Sequence, residues 1–257
     1  MTPTDIKTTA LITGASAGLG AEFARQLASQ GHNLVLVARD RSRLESAAAD
    51  LEQRYGIRAE VLPADLTDDD GVGAVVVRLS DAERPVGILV NNAGTGLLHN
   101  FEENDISEEK RHLKLHDQTA LELTHAALQG MLERGSGRII NVASVAAFLP
   151  RGTYSAAKAW LLSFSRWANL AYGARGVKVT ALCPGFTHTE FHDRMGMDKS
   201  VAPSWTWLKP ERVVREGLAD NLRGKAVSIP SKRYKLLAVA ARVLPGRLVT
   251  GPARRAK

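Results

Sequence analysis

Tyr154 and Lys158 stand four residues apart at the start of a helical pattern, a spacing that places both on one helix face. A phenol beside an ammonium is an acid/base pair. Free tyrosine titrates near pH 10, too high to move protons easily at neutrality. A lysine cation about 4 Å away contributes roughly 4 kcal/mol at an effective dielectric near 20. That is about three pKa units before desolvation losses, which would poise Tyr154 near its working pH. Such a group suits a reaction that leaves an alkoxide to be protonated, as hydride addition to a carbonyl does. Ser144, at the end of an apolar run upstream, can donate to the same oxygen and stabilise its developing charge. Tyrosine and lysine at this spacing recur by chance, so the order of the other motifs decides the reading.

The first of those motifs is Thr13-Gly14-Ala15-Ser16-Ala17-Gly18-Leu19-Gly20, which closes an apolar run and opens a helical one. Its glycines let the backbone turn tightly and approach a pyrophosphate, while the N–H groups of the new helix face the anion. The same glycines would also serve a plain strand-to-helix turn. The next apolar run ends at Ala38, where an NAD-binding fold commonly has an acid for the ribose 2′-hydroxyl. Arg39 follows and suits a 2′-phosphate through charge-assisted bonds, so NADP(H) is expected over NAD(H). Arg39 as a solvated loop residue and Asp40 as a ribose contact stay open. Asp65 can accept from an adenine amino group, or cap a turn.

The elements that must position these residues alternate along the chain. Strands are expected at Ala10–Thr13, Asn33–Ala38, Arg58–Leu62, Val86–Asn91, Arg138–Ala143, Val177–Leu182 and Ala226–Ile229. They are apolar through most of their length, as strands covered on both faces are. Helices are expected at Gly18–Gln30, Arg41–Tyr55, Asp68–Glu83, Ser107–Arg134, Thr153–Gly173 and Pro210–Arg223. This alternation predicts an α/β fold, a doubly wound parallel seven-stranded sheet with helices on both faces. At 257 residues, 44% hydrophobic and 24% charged, one domain with a full core is expected. The lone Cys183 excludes an internal disulfide and any cysteine-rich metal cluster. Neither a secretory signal nor a membrane-spanning run is visible, so a cytoplasmic protein is expected.

Taken together, these motifs resemble the short-chain dehydrogenase/reductase family from about Thr8 to Pro230. The resemblance rests on the glycine loop, Asp65, Asn91-Asn92-Ala93-Gly94, Ser144, Tyr154-x-x-x-Lys158, and Pro184-Gly185 followed by Thr189. It implies a Rossmann-like sheet and transfer of a nicotinamide hydride to or from a ketone, aldehyde or secondary alcohol. It further implies Tyr154 as acid/base, Ser144 as donor to the substrate oxygen, and Lys158 as a ribose ligand that lowers the Tyr154 pKa. The cofactor set it implies is Gly14, Ser16, Gly18, Leu19, Gly20, Arg39, Asp65, Leu66, Asn92, Ala93, Gly94, Tyr154, Lys158, Pro184 and Gly185. Thr187 and Thr189 are added as candidates for the nicotinamide carboxamide. The chain departs from the family at two places. His116 stands where an Asn usually holds a water for a proton relay; an imidazole can hold the same water and can itself titrate, or His116 is simply a polar helix residue. The stretch from Ser144 to Tyr154 is roughly three residues shorter than usual, which reshapes one wall of the pocket.

Two segments remain. The stretch with Phe191, Met195, Met197, Trp205 and Trp207 reads as a lid that excludes water from an apolar, lipid-like substrate, or as a surface loop packed on its own body. Residues 231–257 form a basic extension to the 1–230 domain, with eight Lys and Arg and no acid against a net charge of +7. The rest of the chain is therefore nearly neutral, which argues against a nucleic-acid-binding face. Leu236, Leu237, Ala240, Val243 and Leu244 recur at helical spacing, for packing on the core, on a partner subunit, or peripherally on a membrane. The family resemblance implies a homodimer or homotetramer through the two long helices, Ser107–Arg134 and Thr153–Gly173. The same scaffold can also serve as an NADP(H)-binding sensor or interaction module, since fold does not fix function.

Overall fold

The computed structural model describes residues 8–97, 99–191 and 203–243. Seven parallel strands form one sheet: β1 (Thr9–Thr13), β2 (Asn33–Ala38), β3 (Ala59–Pro63), β4 (Val86–Asn91), β5 (Gly137–Val142), β6 (Val177–Leu182) and β7 (Val227–Ser228). Their order is β3-β2-β1-β4-β5-β6-β7. The direction of winding therefore reverses between β1 and β4, and the crevice beyond their carboxyl ends is where such sheets take ligands. The glycine loop follows β1 and Asn92-Ala93-Gly94 follows β4, so both flank that crevice.

Alternate residues of each strand face opposite layers. Ile12, Leu36, Ile88 and Ile140 pack with Phe23, Leu27, Leu44, Val213 and Leu218, which belong to α1 (Gly18–Ser29), α2 (Arg41–Tyr55) and a later helix over Pro210–Leu222. Leu11, Val35, Leu89 and Ile139 pack on the other face with Val75, Leu123, Met131 and Ala168. These come from α3 (Asp69–Leu79), α5 (Thr119–Glu133) and α6 (Gly152–Tyr172). The short α4 (Ile106–Leu113) precedes α5. The Pro210–Leu222 helix is α7, and α8 (Lys232–Val243) ends the described chain. Among the described residues, no helix is long and apolar enough to cross a membrane.

The expected α3 ran to Glu83 but ends at Leu79, because Asp81 accepts from the backbone N–H groups of Glu83 and Arg84 and turns the chain. The larger correction concerns Ser107–Arg134. One long helix was expected there, and three segments are found: α4, a π turn over Lys114–Gln118, and α5. A π turn inserts an extra residue into the helical ladder, and such bulges recur at functional sites. Here it carries His116 and Asp117 inward, and both are buried.

Candidate active site

The glycine loop is held by the strand that ends beside it. Thr13 Oγ1 accepts from the backbone N–H groups of Asn92 and Ala93 at 2.9 Å each, and Asn92 Nδ2 donates to Thr13 O at 2.8 Å. Asn92 and Ala93 thus lock the crevice open. Gly14 and Gly18 have φ of 66° and 56°, a region in which a side chain is strained. α1 starts at Gly18 with no side-chain cap from Ala17 and no acid in its first turn, so its leading N–H groups suit an anion. Ser16 and Leu19 are half-buried in that turn.

At the end of β2, Asp40 is turned to the start of the next helix. It caps α2, accepting from Arg43 N at 3.1 Å and from Ser42 Oγ at 2.8 Å. Arg39 stays exposed, with its guanidinium 3.9 Å from Asp65 Oδ2. Asp65 Oδ1 accepts from Thr67 N and Oγ1, so one oxygen makes a turn and the other meets Arg39. Leu66 is buried and its carbonyl accepts from Thr119 Oγ1. An uncapped helix start and an exposed arginine, paired only loosely with Asp65, fit a dinucleotide bearing a 2′-phosphate.

Ser144, Tyr154 and Lys158 come together beyond β5. Ser144 Oγ accepts from Ala146 N at 3.1 Å, and its hydroxyl stands beside the Tyr154 phenol. A 3₁₀ turn, Val145–Phe148, fills the shortened stretch before α6. Lys158 is buried, with Nζ donating to Val142 O at 2.7 Å and lying 5.7 Å from the Tyr154 ring centroid. Burial pushes the Tyr154 phenol up to about 12, against a Ser144 hydrogen bond that lowers it. It pushes Lys158 down to about 8, against Asp117, which raises it. Tyr154 is therefore not poised near neutrality as expected. In the protein alone, desolvation of the phenol outweighs any help from the ammonium, and Tyr154 rests as a neutral acid.

His116 is buried against the glycine strand end. A Cβ on Gly94 would lie 2.6 Å from His116 Cε1, so only glycine admits the ring there. Nε2 meets both Thr95 O at 2.7 Å and Thr95 N at 3.2 Å, so the Thr95 backbone holds this side of the ring and Nδ1 points away from it. Burial first, then Lys158 and His112, hold its pKa well below 6.5. His116 is therefore neutral, and holding a water suits it better than titrating does. His116 Nδ1 and Asn91 Oδ1 have no protein partner. Both residues, with Lys158, line a cavity of about 10 Å³, room for about one water.

Two residues not expected at the site belong to it. The His112 ring lies 4.4 Å from that of His116 and 6.0 Å from that of Tyr154. Asp117 is buried, and desolvation raises its pKa to about 6. The His112-x-x-x-His116 spacing was a usable signal, the same one that marked Tyr154 and Lys158. Asp117 gave none, because only the π turn brings it inward.

The loop after β6 forms the remaining wall. Pro184 O accepts from Val145 N, and the Tyr234 ring from α8 packs on Gly185 so closely that a Cβ there would collide with it. Thr187 is buried, its hydroxyl donating to Gly185 O at 2.9 Å. Thr189 Oγ1 accepts from Phe191 N, and a Cβ on Gly18 would lie 3.2 Å from the Thr189 side chain. Phe191 lies 6.3 Å from Tyr154. Trp207 stacks on His188 at 5.1 Å and packs against Phe186, whereas Trp205 faces solvent. Met195 and Met197 lie outside the described residues.

A family profile described as short chain dehydrogenase matches residues 8–200. Oxidoreductase UcpA of Salmonella typhimurium is 36% identical over 214 residues, 81% of this chain and 78% of that protein. A short-chain dehydrogenase from Sphingobium yanoikuyae, solved in complex with NADPH, is similar with a TM-score of 0.84 at 34% identity, covering 97% of this chain and 98% of that one. A bulky-bulky ketone specific alcohol dehydrogenase from Comamonas testosteroni gives 0.79 at 31% identity over 97% and 96% of the two chains.

Proposed function

The chain belongs to the short-chain dehydrogenase/reductase family and is a nicotinamide-dependent oxidoreductase acting on carbonyl or alcohol groups, and from that premise we propose that it uses NADP(H) to reduce a ketone or aldehyde with a sizeable apolar part. The observation that carries this reading is the buried Tyr154 phenol hydrogen-bonded to the Ser144 hydroxyl, beside a buried ammonium fixed by Val142 O.

The cofactor supplies the hydride that reaches the carbonyl carbon. Tyr154 gives its hydroxyl proton to the oxygen on which negative charge develops. Ser144 donates a hydrogen bond to that same oxygen and favours the charged transition state over the carbonyl. Lys158 stabilises the phenolate left behind, and a water bound at His116 Nδ1 would link the lysine to the interior of the crevice. Because His116 is neutral, it holds that water without taking its proton. Arg39 would hold the 2′-phosphate, while one oxygen of the Asp40 carboxylate caps α2. Thr187 and Thr189 are placed on the loop that faces the glycine turn, and are candidates for the carboxamide.

The apolar substrate class is favoured by Phe191 beside Tyr154 and by the Phe186–Trp207–His188 stack on the same loop. The NADPH-bound neighbour and the neighbour whose substrates are bulky ketones point the same way. The test is NADPH and NADH consumption over bulky ketones, 3-oxoacyl thioesters and long-chain aldehydes, with Tyr154→Phe in parallel. Turnover with NADPH, reduced at least about 100-fold in the variant, is expected. NADH preference would overturn the role of Arg39, and a variant of undiminished rate would overturn that of Tyr154.

A further inference from the structure

α8 is fastened to the body by one face and turns its larger apolar residues away from it. On the fastened face Tyr234 and Ala238 are buried. The Tyr234 hydroxyl accepts from Phe186 N at 3.1 Å and donates to Thr206 O at 3.0 Å. With about 3.6 residues per turn, Leu236, Val239 and Ala240 share the opposite arc and Leu237 extends it. Leu236 is 72% exposed, Val239 58% and Leu237 43%. This is the reverse of the core-packing role that their spacing allows: the stripe is real, but the body is on its other side.

Beside the arc stands a second apolar group from another part of the chain. Trp205 is 62% exposed. Arg233 Nη1 donates to Trp205 O at 2.7 Å, and its guanidinium lies 5.0 Å from the indole. Lys232, Arg233 and Lys235 are all exposed on this surface, and no Asp or Glu occurs from Ser231 to Lys257. Three large aliphatic side chains side by side on one helix are uncommon on a solvated surface. Their natural cover is apolar, and the charge around them requires that the cover be rimmed with anions. A second copy seated on this helix by two-fold symmetry would set these cations against themselves. An exposed tryptophan paired with an arginine is the composition of a membrane–water boundary, where the ring sits at headgroup depth.

We propose that α8 and Trp205 form an interfacial surface that seats the protein on an anionic lipid bilayer, with Leu236, Leu237 and Val239 entering the boundary between headgroups and acyl chains. Lys232, Arg233 and Lys235 meet the lipid phosphates. Because Tyr234 ties α8 to Phe186 and Gly185, the seated surface is fastened directly to the loop that walls the active site.

The experiment is flotation of the full chain with vesicles of phosphatidylcholine alone and of phosphatidylcholine mixed with phosphatidylglycerol. Wild type is compared with Leu236→Glu/Val239→Glu and with Lys232→Glu/Lys235→Glu. These positions are exposed, and unfolding curves matching wild type verify the fold. Binding to the mixed vesicles, weakened by salt and lowered at least about tenfold in either double variant, is expected. Failure of wild type to float, equal binding to the neutral vesicles, or undiminished binding of both variants overturns the proposal. So does a fall in oligomeric size of Leu236→Glu/Val239→Glu by light scattering without vesicle binding by wild type, which would assign the face to a second copy.

Discussion

Lys158 is the residue on which the site's pH behaviour turns. Burial brings it down to about 8, and Asp117 is the first opposing influence. Reduction needs the ammonium beside the phenolate being formed, so kcat/KM for reduction is expected to be level near neutrality and to fall by up to about tenfold per pH unit above about 8. Asp117→Asn removes the influence that raises Lys158, and the alkaline limb should move to lower pH. Steady-state kinetics across pH check both points, and an unmoved limb in the variant would remove Asp117 from the site. His116 makes a separate prediction through stability. Its native pKa lies well below 6.5, so below pH 6.5 the unfolded chain binds the extra proton and stability is lost as pH falls toward the native value. Asp117 works in the opposite sense: its native value of about 6 against 3.8 costs stability above about pH 6, and the cost is relieved as pH falls toward 3.8. His116→Gln is therefore expected to lessen the loss of Tm between pH 7 and pH 5 by a few degrees, on the order of 1 kcal/mol. Thermal melts at the two pH values measure it.

Among the elements, the contact between α8 and the loop after β6 is the one that couples the end of the chain to the site. Gly185→Ala would drive a methyl group into the Tyr234 ring. The expected result is a destabilisation of about 1–3 kcal/mol and weaker NADPH binding, with partial recovery in Gly185→Ala/Tyr234→Leu; thermal melts and cofactor titration report both. A Gly185→Ala protein as stable as wild type would show the loop yielding freely. This contact also marks where the sequence stops being informative. β2, β4 and β6 were legible to the residue, because continuous apolar runs bounded by polar or Gly-rich turns have few alternative readings. Tyr154 and Lys158 were legible because helical spacing places them without knowledge of the rest. His112 obeys the same spacing and was overlooked. Asp117 could not be found by period, since the π turn that buries it breaks the period. The outward set of Leu236 and Val239 was equally hidden: periodicity gives a stripe, and only Tyr234 and Ala238, with their smaller apolar signal, show which side is anchored.

At the scale of the whole molecule, α6 presents another apolar surface of different character. Its inner face buries Leu161, Leu162 and Ala168. Its outer face carries Trp160 stacked on Phe164 at 5.1 Å, then Trp167 at 5.9 Å from Phe164 and 5.6 Å from Tyr172. Trp167 is 54% exposed and Leu170 82%, and Leu121 of α5 is also exposed. Aromatic ladders of this kind are enriched at protein interfaces, where large rings bury area at little entropic cost. No row of cations lines this face as one does on α8, so a two-fold contact brings no like charges together. A homodimer through the α5 and α6 faces is therefore expected, with wild type eluting and scattering as at least a dimer. Trp167→Glu/Leu170→Glu would bury carboxylates at the centre of that contact without a partner, and should raise the dimer dissociation constant at least about 100-fold. Both residues are exposed in the single chain, so the variant should keep its fold and its NADPH binding. Light scattering over a dilution series separates the outcomes. A monomeric wild type removes the interface from α6, whereas a variant that stays dimeric places the contact elsewhere on the molecule.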